Sequence, residues 1–194
     1  MRLSEKYRVP REFPLLYEFV NSLDLRRYVE QGTAHVTGDE LATVLQMERW
    51  MRVRGLLGSR STITEAQYRK ALELRDALRA FLRAASGERL GNREIVGRLN
   101  ELCEGYPMVL KIGGDKTTLQ PAKGSSGLGR ILSELYLMAA TGRLDRVKSC
   151  ESDECHWIFY DHSKPGKRRW CSSALCGNRQ KTRAYRERRK QAIG

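Results

Sequence analysis

The chain has 194 residues, enough for one ordinary domain or for a medium domain with a small appended module. Its formal net charge of +13 indicates a polyanionic partner, with nucleic acid ahead of an anionic membrane surface. No apolar run approaches the roughly 18 residues of a membrane-spanning helix. The first residues carry charge but no long apolar stretch before a small-residue cleavage site, so we expect no secretory signal and a cytoplasmic protein.

The first hundred residues favour helices, because apolar residues recur at three- and four-residue spacing. The predicted helices cover about residues 14–29, 39–57, 65–85 and 92–102. Asp39 is the expected cap of the second helix. A capping box formed by Thr62 with Glu65, or by Thr64 with Gln67, is expected before the third.

The period then changes from helical to alternating. Residues 108–112 and 116–120 flank Gly113, Gly114 and Asp115, which predicts a β-hairpin. A last apolar helix is expected over about residues 128–140. These elements predict a mainly α fold with a small β-hairpin, in the α+β class.

Arg143 to Lys148 is the predicted domain boundary, because cysteines, aromatic residues and basic residues replace the apolar periodicity beyond it. We therefore expect a helical domain over residues 1–142, with one hairpin near 108–120, and a small module over 143–194. Eleven basic and two acidic residues lie from Asp161 onward. This segment thus carries +9 of the +13 net charge.

The cysteines are unevenly placed, and four of the five cluster near the end: Cys150, Cys155, Cys171 and Cys176. They form two C-x4-C pairs, and this arithmetic favours a tetrahedral thiolate zinc site. Four thiolates leave no open position, so such a zinc ion would be structural. Two disulfides or buried free thiols are the alternatives, and His156 or His162 is an alternative ligand. Cys103 stands alone on an amphipathic helix, where a small buried residue is the expected role.

Between the pairs, residues 156–161 favour a strand, 164–167 a turn, and 168–171 a returning strand. A helix follows from about residue 173 or 175 to 192. This order is treble-clef-like, with the last ligand in the first helical turn, where the helix dipole favours thiolate.

The basic helix carries more charge than the metal site needs, because zinc with four thiolates has a charge of about −2. Nucleic acid is the expected partner, with a solvated charged face as the alternative. Asn178 and Arg179 are candidates for base edges in a major groove. The other candidate contacts are basic: Lys167, Arg168, Arg169, Lys181, Arg183, Arg186, Arg189 and Lys190.

Aromatic residues of the predicted helical domain are candidates to line a ligand pocket: Tyr17, Trp50, Tyr68 and Tyr136. An ordinary core with a few aromatic residues is the alternative interpretation. A homodimer is a further hypothesis, since a single short reading helix often needs a second copy for adequate contact with DNA.

The string WCSSALCGNRQKTRAYRERR, with CHWIFYDHSKPGKRRW before it, resembles the CGNR zinc finger, named for the residues at 176–179. The resemblance covers residues 147–189, and Ser173 departs from it where methionine is expected. LLYEFVNSL at 15–23 resembles the opening of the ABATE domain, with Glu18 where aspartate is more usual. The resemblance implies a bacterial stress-induced transcriptional regulator with zinc on the four clustered cysteines and a DNA-binding finger.

The leading hypothesis is a DNA-binding regulator whose N-terminal domain senses a ligand or a partner. An RNA-binding or ribosome-associated module, and an adaptor whose basic helix meets an acidic protein, are the alternatives. We do not expect an enzyme. The three histidines, His35, His156 and His162, are scattered in sequence, and the only glycine motif is GLG at 127–129.

Overall fold

A computed structural model describes residues 2–30, 32–84, 88–114 and 116–191. The predicted helix ends at Ala85 and Ala192, and the predicted turn residue Asp115, lie outside the described residues. The fold is α+β, as predicted, with helices packed around a core and short antiparallel strand pairs beside them. No helix in the described ranges combines the length and apolarity needed to cross a membrane.

The α-helices, in chain order, are α1 (Leu3–Lys6), α2 (Pro14–Val20), α3 (Val44–Val53), α4 (Glu65–Arg83), α5 (Arg93–Glu104), α6 (Gly129–Ala140) and α7 (Asn178–Gln191). The strands are β1 (Leu23–Asp24), β2 (Val29–Glu30), β3 (Thr33–Ala34), β4 (Gly38–Asp39), β5 (Met108–Gly113), β6 (Lys116–Pro121), β7 (Val147–Ser149) and β8 (Ile158–Tyr160). The antiparallel pairs are β1 with β4, β2 with β3, β5 with β6, and β7 with β8.

Helices α4, α5 and α6 and the β5–β6 hairpin confirm the corresponding sequence predictions. The capping box of α4 is the Thr64–Gln67 pair: Thr64 Oγ1 accepts from Gln67 N, and Gln67 Oε1 accepts from Thr64 N at 2.8 Å. The apolar stripe of α4, which includes Leu74 and Leu78, is buried in the core. Local caps and periodicity therefore determine these elements.

The predicted helix over 14–29 is wrong in its second half, because α2 ends at Val20. Ser22 Oγ donates to Phe19 O at 2.7 Å. The guanidinium of Arg79, on α4, donates to the carbonyl oxygens of Val20 and Leu23. The carbonyl of Val20, the last residue of α2, is thus satisfied by a distant side chain, and the backbone turns into β1.

The predicted start of the second helix at Asp39 is also wrong. Helix α3 begins after Thr43, whose Oγ1 accepts from Gln46 N at 3.2 Å. The carboxylate of Asp39 lies in β4 and instead receives two hydrogen bonds from Arg75, at 2.6 and 2.8 Å. An ion pair to α4 therefore replaces the expected cap.

The main core extends across the predicted domain boundary. Phe19, Leu78 and Ile131 are fully buried in it, and Val147 of β7 and Ile158 of β8 belong to the same cluster. A second cluster contains Tyr17, Trp157 and Phe159 together with three of the clustered cysteines. The division at residue 142 stays a prediction, while the residues on its two sides share apolar packing.

Three sets of hydrogen bonds join the two sides. Asn21 Nδ2 donates to Ile158 O at 2.9 Å, and Ile158 N donates to Asn21 Oδ1 at 3.1 Å. Trp157 Nε1 donates to Tyr17 Oη at 2.9 Å. The buried guanidinium of Arg89 donates to Leu144 O at 2.8 Å and also to the carbonyl of Val147. The cysteine-rich segment is therefore fixed against α2 and against the segment that follows α4.

Candidate metal centre and basic helix

The four clustered cysteines come together in space, with their Sγ atoms all within 4.8 Å of one another. Cys171 Sγ lies 3.6 Å from Cys155 Sγ and 3.7 Å from Cys176 Sγ. A tetrahedral zinc ion with Zn–S bonds of about 2.3 Å has S···S edges of about 3.8 Å. These distances fit one zinc ion, and the sulfurs are too far apart for the alternative of two disulfides.

Each cysteine pair sits on a tight backbone turn. Cys150 follows β7 directly, and its N–H donates to Trp157 O at 2.9 Å, while Cys155 N donates to Ser152 O at 2.9 Å. Cys176 lies in a π-helical turn, Ser173–Gly177, that leads straight into α7. A knuckle between two strands, then a second knuckle at the start of a helix, is the treble-clef-like order expected.

The predicted partner of the 156–161 strand is wrong. β8 pairs with β7, which precedes the first knuckle, and residues 168–171 form no strand. Two hydrogen bonds hold that segment instead: Arg168 N donates to Asp161 Oδ2 at 2.8 Å, and Glu151 N donates to Arg169 O at 3.0 Å.

Asp161 is the buried electrostatic centre of the finger. Its carboxylate accepts from Ser163 N at 2.9 Å and from Ser163 Oγ at 2.7 Å, and it pairs with Lys148 Nζ at 3.2 Å. Burial would raise the pKa of Asp161, but these hydrogen bonds and the one from Arg168 N outweigh burial and lower the pKa to about 2. Asp161 therefore stays ionised and organises the loop between the cysteine pairs.

Neither nearby histidine is needed to complete the metal site. The group of candidate ligands within the described residues consists of the four cysteines. His162 is exposed, and its ring packs edge-on against Tyr160 at 4.8 Å. His156 is half-buried with a φ of +50°. Cys103 lies away from this group and is half-buried on α5.

Some basic residues of the finger already have partners within the chain. Arg168 Nη2 donates to Cys171 O at 3.1 Å, and Arg169 pairs with Glu151 at 2.5 Å. The guanidinium of Arg179 lies 4.2 Å from the centroid of the Tyr28 ring. We call these residues, together with the partner of Asp161, the inner cations: Lys148, Arg168, Arg169 and Arg179.

The remaining basic residues of α7 are exposed. Every residue from 181 to 191 is solvent-exposed, and Glu187 is the single acidic residue among them. Asn178 at the start of α7 and Lys167 in the loop are exposed as well. We call the following residues the outer cations: Lys181, Arg183, Arg186, Arg188, Arg189 and Lys190.

The four aromatic residues predicted to line a pocket do not come together. Tyr17 is buried beside the cysteines, and Trp50 is buried in the main core with the Arg54 guanidinium 4.0 Å from its ring. Tyr68 Oη donates to Leu41 O at 2.9 Å, and Tyr136 is 58% exposed. The pocket prediction is therefore wrong for these residues as a set.

A cleft of about 560 Å³ exists elsewhere in the N-terminal region, between α3, the start of α4 and the loop before α6. Met47, Met51 and Tyr106 are among its buried lining residues, and Lys70 and Ser126 are among its polar ones. Several separate elements each contribute a few of its lining residues, which explains why no single apolar stripe in the sequence indicated the cleft.

Sequence reasoning missed the contacts that Arg26, Arg27, Tyr28 and His35 make beside the finger. Arg26 lies with its guanidinium 3.9 Å from the Trp157 ring, and Arg27 N donates to Glu154 O at 2.7 Å. Tyr28 stacks on His35 with ring centroids 4.6 Å apart. No local pattern indicates the contacts of Arg26 and Arg27 with the finger, because their partners are distant in sequence and are brought close only by the fold.

A four-cysteine metal site built on two knuckles and followed by a helix defines a zinc-finger protein. Residues 146–189 match the CGNR zinc finger, and residues 14–142 match the ABATE family, which is described as "Putative stress-induced transcription regulator". The chain therefore belongs to the ABATE family, with a CGNR zinc finger after the family domain, in the order that the resemblance predicted. One zinc ion is its cofactor, held by the four cysteines. Among curated proteins, none matches the chain.

Proposed function

We propose that this protein binds double-stranded DNA through α7 and regulates transcription in bacteria under stress. The observation that carries the proposal is the exposed part of α7. Of its eleven residues from 181 to 191, six are outer cations and one is acidic. The 14-residue helix is about 21 Å long, which suits a helix lying in the major groove of a duplex.

The outer cations do not have a structural role that would account for them. Zinc with four thiolates carries a charge of about −2, and Arg168 and Arg179 already contact its cysteines. Within the described part of the chain, Arg183 pairs with Glu187 at 3.4 Å, and the other outer cations form no ion pair. The uncompensated charge supports a polyanion as the partner. In this proposal, Asn178 faces a base edge and the outer cations contact phosphates.

The fixed attachment of the finger supports a regulatory role. Because Val147 of β7 and Ile158 of β8 lie in the main core with residues of α2, a change in the N-terminal region reaches the strands that flank the first knuckle. We propose that an effector enters the cleft between α3 and α4. Thr62→Trp, a substitution at an exposed rim position, should then abolish effector-dependent thermal shifts while leaving the melting temperature of the free protein unchanged.

We propose a binding protein rather than an enzyme. A buried carboxyl group with a raised pKa is a common feature of active sites, and burial raises the pKa of Glu134 to about 8. This carboxyl accepts a hydrogen bond from Leu16 N at 2.7 Å, in the first turn of α2, so a capping role accounts for it. A homodimer on a two-fold related DNA site, in the bacterial cytoplasm, completes the proposal, because one short helix offers little contact area.

The deciding experiment measures binding of the zinc-loaded full-length protein to a random duplex by fluorescence anisotropy at two salt concentrations. Reversal of Arg183, Arg186 and Arg189 to Glu should lower the affinity by about a hundredfold or more. The matched control reverses Arg60, Lys111 and Lys123, which are exposed in the N-terminal region and change the net charge equally.

If both triple variants lose affinity equally, general charge rather than α7 is responsible, and the proposal fails. A structured RNA competitor at the same salt concentration tests the main alternative. Preferential displacement of the duplex by RNA would contradict DNA as the target.

A further inference from the structure

Arg179 occupies a position unlike those of the outer cations on the same helix. Its Nη2 atom lies 3.9 Å from Cys176 Sγ, and its Nε atom donates to Leu175 O at 3.4 Å. The face of its guanidinium covers the ring of Tyr28 at 4.2 Å. The side chain is half-buried, whereas every later cation of α7 is exposed. Arg179 thus touches a metal ligand, the turn before α7, and a ring from the N-terminal region.

Other neighbours of Tyr28 hold its ring in place. His35 stacks on it with an interplanar angle of 22°, and His35 N donates to Tyr28 O at 2.7 Å. His35 Nε2 lies 2.8 Å from Asp24 Oδ2, and Asp24 also pairs with Arg26 at 2.5 Å. The β2–β3 pair places His35 opposite this part of the chain. The ring that contacts Arg179 is therefore fixed in position by His35 and the β2–β3 pair.

The same segment also holds the first knuckle. Arg27 N donates to Glu154 O at 2.7 Å, between the first two cysteines, and the Arg26 guanidinium lies 3.9 Å from the ring of Trp157. Arg26, Arg27 and Tyr28 therefore contact the finger at the first knuckle and at the residue that follows the second. A cation against a thiolate and an aromatic face is stabilised by both, and burial strengthens each contact.

We propose that Arg179 is a positioning residue: stacked on Tyr28 and adjacent to Cys176, it fixes the zinc site and the base of α7 to the N-terminal region, and it does not contact bases. Tyr28 is the other half of this device. The part of the inference that concerns α7 on DNA rests on the proposed function, whereas the part that concerns zinc retention is independent of it.

Zinc release from the full-length protein into a chromophoric chelator tests the device directly. Tyr28→Ala and Arg179→Ala should each speed release about two- to fivefold, and the double variant should be no faster than the faster single variant. Tyr28→Phe keeps the ring face and should release zinc more slowly than Tyr28→Ala. Arg186→Ala removes an equal charge from an exposed position on α7 and should also leave release unchanged.

The inference would be overturned if Tyr28→Ala released zinc at the wild-type rate while its circular dichroism and melting temperature were unaltered. Release from Tyr28→Phe as fast as from Tyr28→Ala, or multiplicative effects in the double variant, would overturn it as well, since the ring contact would not be the cause.

Duplex binding supplies the second readout. Tyr28→Ala removes no charge, so a loss of affinity would support positioning of α7 by the ring. If Arg179→Ala loses affinity while Tyr28→Ala binds normally, Arg179 contacts DNA itself and the inference fails. If the wild type binds no duplex at all, the proposed function fails, and the zinc-release rates still decide the role of Arg179.

Discussion

The inner and outer cations of the finger have the same chemistry but different surroundings. Lys148 pairs with the buried carboxylate of Asp161, and Arg168 donates to the backbone carbonyl of Cys171. Arg169 pairs with the carboxylate of Glu151, and Arg179 lies over the ring of Tyr28. The outer cations are exposed along α7. A run of positive charge therefore overstates the charge available to a partner, because part of it stabilises the fold.

The largest expected effect comes from removing a metal ligand. Cys176→Ser should lower the metal content from about one zinc per chain to near zero and unfold the finger, since structural zinc supplies much of the folding free energy of such small modules. Trp157, which is 3% exposed beside the cysteines, should then show red-shifted fluorescence. Cys103→Ser, at the half-buried thiol outside the site, is the matched control and should retain the zinc. Full zinc retention by Cys176→Ser would contradict the assignment of the site.

A smaller effect is expected where the inner cations meet their carboxylate. Asp161→Asn should destabilise the finger by about 2 kcal/mol, because it removes the charge that Lys148 and Arg168 N face. Asp153→Asn, at an exposed carboxylate of the first knuckle, should have no comparable effect. Thermal unfolding of the zinc-loaded variants measures both.

The pH dependence of the Asp161 effect has a definite sign. The folded pKa of about 2 lies below the ordinary value of 3.8, so the stabilisation is fully present above about pH 4 and is lost as the pH falls toward 2. The difference in stability between wild type and Asp161→Asn should therefore stay constant from about pH 8 to about pH 5. A difference that disappears within this range would show that the pKa of Asp161 is raised above its ordinary value rather than lowered.

The attachment of the finger to the N-terminal region should have an intermediate effect on stability. Tyr17→Phe removes the acceptor of the buried Trp157 Nε1–H, which should cost about 1–2 kcal/mol of unfolding free energy. Tyr136→Phe changes the same group at a ring that is 58% exposed and should change stability little. Urea unfolding followed by tryptophan fluorescence compares the two. Equal stabilities of the two variants would indicate that this hydrogen bond does not hold the finger.

The parts of the fold that sequence reasoning predicted are those specified locally. Helix α4 has its cap, its apolar stripe and its end within one stretch of chain, and the metal site is specified by cysteine spacing. The errors occur where distant residues decide the outcome. Arg79 donates to the last carbonyl of α2, and Arg75 takes the carboxylate of Asp39 away from the expected cap.

The same division applies to the candidate site. Residue type and spacing identified the four sulfurs and the basic helix, because both are properties of one short segment. Periodicity does not show that Tyr28 covers Arg179, since the two residues are 151 positions apart and meet only after folding. For the same reason, sequence reasoning assigned Arg179 and the outer cations to one surface.

The smallest expected effect is the sharpest test of the distinction between the two groups of cations. The logarithm of the DNA association constant should fall linearly with the logarithm of salt concentration, with a slope of about −0.9 for each phosphate contact. Arg186→Gln, at an outer cation, should reduce the magnitude of this slope by about one. Arg169→Gln should leave it unchanged, because Arg169 is paired with Glu151. Equal slopes for the two variants would show that DNA recruits inner cations too, and that the surroundings of a cation in the free protein do not determine which residues bind.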